Sequence, residues 1–275
     1  MKNLYICFIF LLFLIGCKEE VTMNERIKMA SIKDVPDATW QKLAKKKIFF
    51  GHQSVGDNIM SGFDQIISSN QAVKLNVIKT KDAKNFDGPV FAHAYIGKNG
   101  DTNSKFREFA DIINNGIGDK VDIAFLKMCF WDIRRGTDVS EVLHNYKKTI
   151  RTLQKKYPNI TFIHMTVPLM SHSNSFIDKV KRIIRPDNSV MDNIKRNKLN
   201  QLIVKEYSNK EPIFNIALLE STRQDGTRAT FSNDKNSYYY LAQEYTDDGG
   251  HLNKLASKYV AEQLLITLAK LIEKN

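Results

Sequence analysis

The chain of 275 residues has few of the residues that crosslink proteins or bind metals, with three cysteines and six histidines. Cys7 lies inside an apolar stretch at the start of the chain, Cys17 follows that stretch, and Cys129 lies in an apolar segment far downstream. A single cysteine in the body of the chain excludes an internal disulfide and a cysteine-rich metal site. Because the histidines show no H-x-x-x-H spacing and the cysteines form no pair, we expect no metal site.

The chain also lacks a glycine-rich phosphate loop, a zinc finger and an aromatic RNA-binding motif. Its formal net charge is nevertheless +11, and part of this charge is concentrated in residues 171–198. We interpret the excess as surface charge facing a membrane or an acidic glycan, and we expect no nucleic-acid partner. With 43% hydrophobic and 26% charged residues, the composition is that of an ordinary globular protein.

The start of the chain predicts export. Residues 1–3 include a lysine, and residues 4–15 form an uncharged apolar run that is shorter than the roughly 17–25 residues needed to span a bilayer. Gly16 and Cys17 resemble a lipobox, in which the cysteine is diacylated and becomes the mature N-terminus. We expect a signal peptide over 1–16, a lipidated Cys17 with a tether over 17–45, one domain over 46–275, and a location in the bacterial cell envelope, at the outer membrane or cell surface. A plain signal peptide or an uncleaved anchor is the alternative.

Short apolar segments alternate with amphipathic ones along the rest of the chain. This pattern predicts buried parallel strands connected by helices, and therefore a three-layer α/β/α sandwich with a mainly parallel sheet of about five strands. Strands are expected at 48–50, 73–78, 121–128, 160–167 and 213–216, and helices at 55–68, 105–113, 139–157, 192–207 and 252–272. Two long connections, 171–198 and 220–246, are candidates for a lid or another functional role.

Ser54 lies directly after the first predicted strand, in the segment Gly51-His52-Gln53-Ser54-Val55-Gly56. Catalytic sites of open α/β sheets form at the carboxyl ends of strands, and a helix N-terminus favours negative charge. Ser54 is therefore a candidate nucleophile, and a helix N-cap is the alternative. His52 is either a substrate contact or, as we favour, a structural histidine that holds the turn.

Asp248 and His251 are spaced Asp-x-x-His across two glycines, just before the last predicted helix. A carboxylate at this spacing can bond one ring nitrogen of His251 and leave the other nitrogen as a general base. The neighbouring Asp247 is the alternative partner, but the spacing favours Asp248.

Together, the serine segment and the Asp-Asp-Gly-Gly-His-Leu-Asn segment resemble the SGNH, or GDSL-like, hydrolases, in a branch with a Phe-Gly-His-Gln-Ser-Val-Gly segment. The resemblance implies an α/β/α esterase with Ser54 as nucleophile, His251 as base and Asp248 as the acid that orients it. It also implies an oxyanion hole that uses a glycine, here Gly97, and an asparagine. The Gly-x-Asn-Asp motif of the family is absent, and residues 127–132 stand in its place. Asn99, Lys127 and Asp132 are therefore left as candidate oxyanion or substrate-binding residues.

The resemblance implies a lipid-anchored esterase that removes small acyl groups, with O-acetyl groups expected, from a carbohydrate or a related ester. Two alternatives stay open. The same three residues can transfer the acyl group to a sugar hydroxyl, which would make the chain a glycan O-acetyltransferase. The missing asparagine motif also allows a non-catalytic glycan-binding lipoprotein.

Overall fold

The computed structural model describes residues 26–172 and 189–273. The expected signal peptide, the lipidated Cys17 and most of the basic segment 171–198 lie outside these residues. Within them, every helix is too short or too polar to cross a bilayer.

Six parallel strands form the central sheet, and they lie in the order β2-β3-β1-β4-β5-β6. The strands are β1 (Lys47–His52), β2 (Val77–Lys79), β3 (Val90–Tyr95), β4 (Ile123–Leu126), β5 (Thr161–Met165) and β6 (Ile213–Phe214). The helices are α1 (Asp37–Leu43), α2 (Ser54–Ser69), α3 (Thr102–Ile112), α4 (Val139–Lys156), α5 (Ser189–Tyr207), α6 (Ile216–Ser221) and α7 (Lys254–Glu273). The predicted α/β fold with a parallel sheet is confirmed.

Helices cover both faces of the sheet because successive side chains of a strand point to opposite sides. In β1, Ile48 and Phe50 pack into the core beneath α2 and α7, whereas Phe49 packs into the core beneath α3 and α4. The helices α2 and α7 are in close contact at Gly62, where a Cβ would collide with the backbone of Ser257.

The sequence prediction missed one strand and misplaced others. The segment Val90–Tyr95, which carries His93 between alanines, is β3 and lies beside β1. The strand predicted at 73–78 is shorter and later, at Val77–Lys79, and the strand predicted at 213–216 ends at Phe214 because Asn215 caps a short helix through the Leu218 N–H. The connection 220–246 contains an antiparallel hairpin of β7 (Thr230–Asn233) and β8 (Asn236–Tyr239).

The residues before β1 pack against the domain, which differs from the expected tether over 17–45. Trp40 and Leu43 on α1 are almost fully buried in the core shared with α7. Upstream of α1, the Ala30 carbonyl accepts a hydrogen bond from Gln263 at 2.8 Å. Because large apolar side chains are stabilised when they leave water, these residues belong to the folded unit.

The sheet order places β1 between β3 and β4. The carboxyl ends of parallel strands meet at one edge, so the turn after β1 is flanked by the loops that follow β3 and β4. Ser54 lies in this turn.

Candidate active site

Ser54 is the first residue of α2, and Gln53 is the N-cap residue. The expected alternative, Ser54 as an N-cap, is therefore not what the structure shows. The Gln53 carbonyl accepts the Gly56 N–H at 2.6 Å, and its side-chain Nε2 donates to the carbonyls of Ile96 and Gly97, both at 2.9 Å. Gln53 thus fastens the Ser54 turn to the loop after β3.

The structure brings together the three residues that the sequence suggested as a catalytic triad. The Ser54 hydroxyl donates to Nε2 of His251 at 3.0 Å, although 197 positions separate the two residues. The other ring nitrogen, Nδ1, donates to Oδ2 of Asp248 at 2.6 Å. A carboxylate only accepts hydrogen bonds, so Nδ1 carries the proton and Nε2 is free to accept one from the serine.

The turn between Asp248 and His251 is held by its own backbone. Oδ1 of Asp248 accepts the N–H groups of Gly250, at 2.9 Å, and His251, at 2.8 Å. Gly249 has a φ of +88°, which permits this tight turn. Burial alone would raise the pKa of Asp248, but hydrogen bonds from the backbone and ring of His251 and from the Gly250 N–H outweigh it and hold that pKa well below its usual range.

Neighbouring loops support the His251 ring and its backbone. The ring packs edge-to-face on Phe130, in the loop after β4, with ring centroids 5.6 Å apart. The Leu252 N–H donates to the Asn58 side chain on α2 at 3.2 Å. The histidine loop is therefore docked against both the β4 loop and the helix that begins with Ser54.

His52 is fully buried and lies behind the Ser54 turn, away from solvent. Its Nδ1 lies 3.2 Å from the Gln53 carbonyl and its Nε2 lies 2.8 Å from Nδ1 of His93. Because a carbonyl only accepts, Nδ1 of His52 is the donor and Nε2 accepts from His93. Burial lowers the pKa of His52 to about 3, so the ring is neutral. This environment supports the structural interpretation of His52.

The remaining candidate residues lie around the same turn, but their polar groups are mostly engaged. The Gly97 N–H donates to Glu108 at 2.7 Å. Lys127 is fully buried, and its Nζ donates to the Met128 carbonyl at 3.2 Å. Asp132 carries no donor when ionised, and its side chain is buried.

Asn99 differs from these residues because its side chain is exposed. Only its Oδ1 is engaged among the described residues, where it accepts a hydrogen bond from Nζ of Lys105 at 3.1 Å. The sequence did not indicate Lys105 as a site residue, since a lysine at the start of an amphipathic helix is normally solvated. The one available signal that a cation lies nearby was Asp132, a carboxylate shortly after the buried strand β4 and next to apolar residues.

Cys129 is a free, buried thiol, as its apolar neighbours indicated. Among residues 26–172 and 189–273, no group of three or more His, Cys, Asp and Glu side chains is arranged to hold a metal ion.

Comparison with known proteins identifies no matching family model and no matching curated protein. Solved structures do match. The periplasmic domain of a lipopolysaccharide acetyltransferase from Salmonella ser. Paratyphi A is 14% identical, with 82% of this chain and 84% of that chain covered and a TM-score of 0.46. Est24, a carbohydrate acetylesterase from Sinorhizobium meliloti, is 9% identical, with 82% and 100% covered and a TM-score of 0.43. A provisionally assigned platelet activating factor from Streptococcus pneumonia is 13% identical, with 86% and 94% covered and a TM-score of 0.49.

Proposed function

We propose that the chain is a serine ester hydrolase of the SGNH type, with Ser54 as nucleophile, His251 as general base and Asp248 as the orienting acid. One observation carries this proposal: the continuous hydrogen-bonded path from the Ser54 hydroxyl through both ring nitrogens of His251 to the Asp248 carboxylate. Nucleophile, base and orienting group within hydrogen-bond reach are the signature of an activated serine.

In the first half of the reaction, Ser54 Oγ attacks the ester carbonyl while its proton moves to Nε2 of His251. Asp248 stabilises the imidazolium that forms, and its lowered pKa keeps the carboxylate ionised for this role. When the tetrahedral intermediate collapses, the bond to the leaving alcohol breaks and His251 returns the proton to that alcohol. Water then repeats the sequence on the acyl-enzyme and releases the carboxylic acid.

The Ser54 N–H supplies one stabilising contact for the oxyanion. It lies in the first turn of α2, where backbone N–H groups have no partner within the helix and the helix dipole favours negative charge. Within the described residues, the Ser54 N–H donates to no protein acceptor, so it remains available to substrate.

The substrate class that we propose is a small acyl ester, an O-acetyl group on a carbohydrate. The site is open: the side chain of His251 is 40% exposed and that of Asp248 is 57% exposed. Trp131, 44% exposed, follows Phe130 in the loop that contacts His251, and Arg134 stacks on its ring at 4.1 Å. An open site with an exposed aromatic face suits a bulky, partly polar substrate such as a glycan. With the expected signal and lipidated Cys17, we also propose that the enzyme acts in the cell envelope.

The test compares wild type with Ser54→Ala and with Ser61→Ala, which removes another exposed hydroxyl from the same helix. We expect Ser54→Ala to lower kcat on p-nitrophenyl acetate by at least about 10³-fold, and Ser61→Ala to leave it unchanged. Wild type, but not Ser54→Ala, should release acetate from an O-acetylated polysaccharide and react with a covalent serine probe. Equal activity of wild type and Ser54→Ala would overturn the proposal. Transfer of acetyl to an added glycan in preference to water would make the chain an acyltransferase with the same residues.

A further inference from the structure

The oxyanion hole needs a second donor beyond the Ser54 N–H. Each donor aimed at the developing oxyanion contributes roughly 10²–10³ in rate, so a site with a single donor would be a weak catalyst. The donors that surround the turn are largely occupied within the protein. The N–H of Gly97 is bound by Glu108, the N–H of Gly100 by Oδ1 of Asp132 at 2.8 Å, and the Lys127 ammonium lies below the surface.

A buried ion pair connects the two loops that flank the Ser54 turn. Lys105, in the first turns of α3, follows the loop after β3, and Asp132 lies in the loop after β4. Nζ of Lys105 donates to both carboxylate oxygens of Asp132, at 2.7 and 2.5 Å, and both side chains are fully buried. Because β1 lies between β3 and β4, the two loops that this pair joins flank the turn that carries Ser54, and the loop after β3 contacts that turn through Gln53.

This bridge also holds Asn99. Nζ of Lys105 makes its third hydrogen bond to Oδ1 of Asn99, so the amide oxygen faces the ammonium and the Nδ2 group is turned away from it. Within the described residues, Nδ2 of Asn99 donates to no protein acceptor. The backbone on either side is fixed as well, by Gln53 at the Gly97 carbonyl and by Asp132 at the Gly100 N–H.

We propose that Nδ2 of Asn99 is the second oxyanion donor and that the buried Lys105–Asp132 pair is its positioning device; this inference rests on the proposed hydrolase function. The ammonium polarises the amide and strengthens Nδ2 as a donor. Desolvation offsets much of the attraction within a buried ion pair, so we assign this pair to fixing the geometry of Asn99 and not to stabilising the fold. The second donor is then supplied by the loop after β3 and is held from the loop after β4 through Asp132.

The first experiment measures kcat and KM for Asn99→Ala, with Asn103→Ala as a matched control at another exposed asparagine four residues away. We expect Asn99→Ala to lower kcat by about 10²-fold with KM nearly unchanged, and to weaken binding of a boronic acid that forms a tetrahedral adduct on serine by a similar factor. Asn103→Ala should behave like wild type. If Asn99→Ala keeps wild-type kcat while Ser54→Ala is inactive, the donor assignment is wrong and the hydrolase proposal stands. If Ser54→Ala is fully active, the hydrolase proposal itself fails.

The second experiment separates positioning from a purely structural role. Lys105→Gln should lower kcat by about tenfold in the wild-type background but by less than about twofold in the Asn99→Ala background, because the residue acts through Asn99. Asp132→Asn keeps the shape of the side chain and should show the same difference in kcat loss between the two backgrounds. It replaces Lys105→Gln as the test if Lys105→Gln does not fold. An equal loss of kcat in both backgrounds would show that the pair stabilises the fold without positioning Asn99, and would overturn this part of the inference.

Discussion

Replacing Asp248 by asparagine should inactivate the enzyme while leaving its fold intact. The structure separates the two functions of this carboxylate. Oδ1 receives the Gly250 and His251 N–H groups and maintains the turn, whereas Oδ2, among the described residues, receives only the ring Nδ1–H. An asparagine can keep its oxygen in the Oδ1 position, so the turn survives. Its NH₂ group then faces the ring as a donor, Nδ1 must accept, and the proton moves to Nε2.

With the proton on Nε2, His251 would donate to Ser54 rather than accept from it, and the serine would lose its base. We expect kcat to fall by about 10³–10⁴-fold, the loss typical of a triad held in the wrong tautomer. The Asp248 side chain is 57% exposed, so solvent screens its interaction with the ring and the free energy of unfolding should fall by less than about 1 kcal/mol.

The assay is hydrolysis of p-nitrophenyl acetate, with thermal unfolding as the measure of fold. Asp247→Asn is the matched control, because it removes the adjacent exposed carboxylate that does not bond His251. A kcat for Asp248→Asn within about threefold of wild type, or an equal loss in Asp247→Asn, would refute the assigned role of Asp248. The lowered pKa of Asp248 adds a pH expectation: the ionised carboxylate stabilises the turn above its unfolded pKa, and this contribution is lost only as the pH falls through the lower folded value.

Two further predictions concern the buried groups around the site. Gly56→Ala should lower the free energy of unfolding by about 1–3 kcal/mol, because its Cβ would overlap the buried His52 ring. Gly88→Ala, with open space around it, should be neutral in the same urea titration. Burial raises the pKa of Glu220 to about 8, so between its ordinary value and pH 8 the unfolded chain binds fewer protons and wild-type stability falls as the pH rises. Glu220→Gln should remove on the order of 2–4 kcal/mol of this decline between pH 5 and 8. Burial also lowers the pKa of Lys127, which changes stability with pH in the opposite direction in both proteins, so the difference in unfolding free energy between wild type and variant is the quantity to measure. Parallel pH profiles of the two proteins would contradict the expectation.

Much of the sheet could be predicted because its strands are short apolar runs bounded by clear turn signals. The strand Val90–Tyr95 was missed because His93 interrupts its apolar pattern. A buried histidine is tolerated there because it donates a hydrogen bond to His52 on the neighbouring strand β1. The packing of α1 was likewise missed, because the residues around it are mostly polar or charged. Only its two large apolar side chains, Trp40 and Leu43, reach the core.

For the candidate site, the sequence by itself determined what depends on local spacing. It placed Ser54 at the junction of a strand and a helix, and it placed Asp248 three residues before His251 across a Gly-Gly turn. Only the tertiary structure decided what depends on residues far apart in the chain. It brought His251 to within 3.0 Å of Ser54, tied the Gly97 N–H to Glu108, and buried Lys105 against Asp132. Side chains that meet across neighbouring loops leave no periodicity in the sequence, because their contact is set by the order of the strands and by burial.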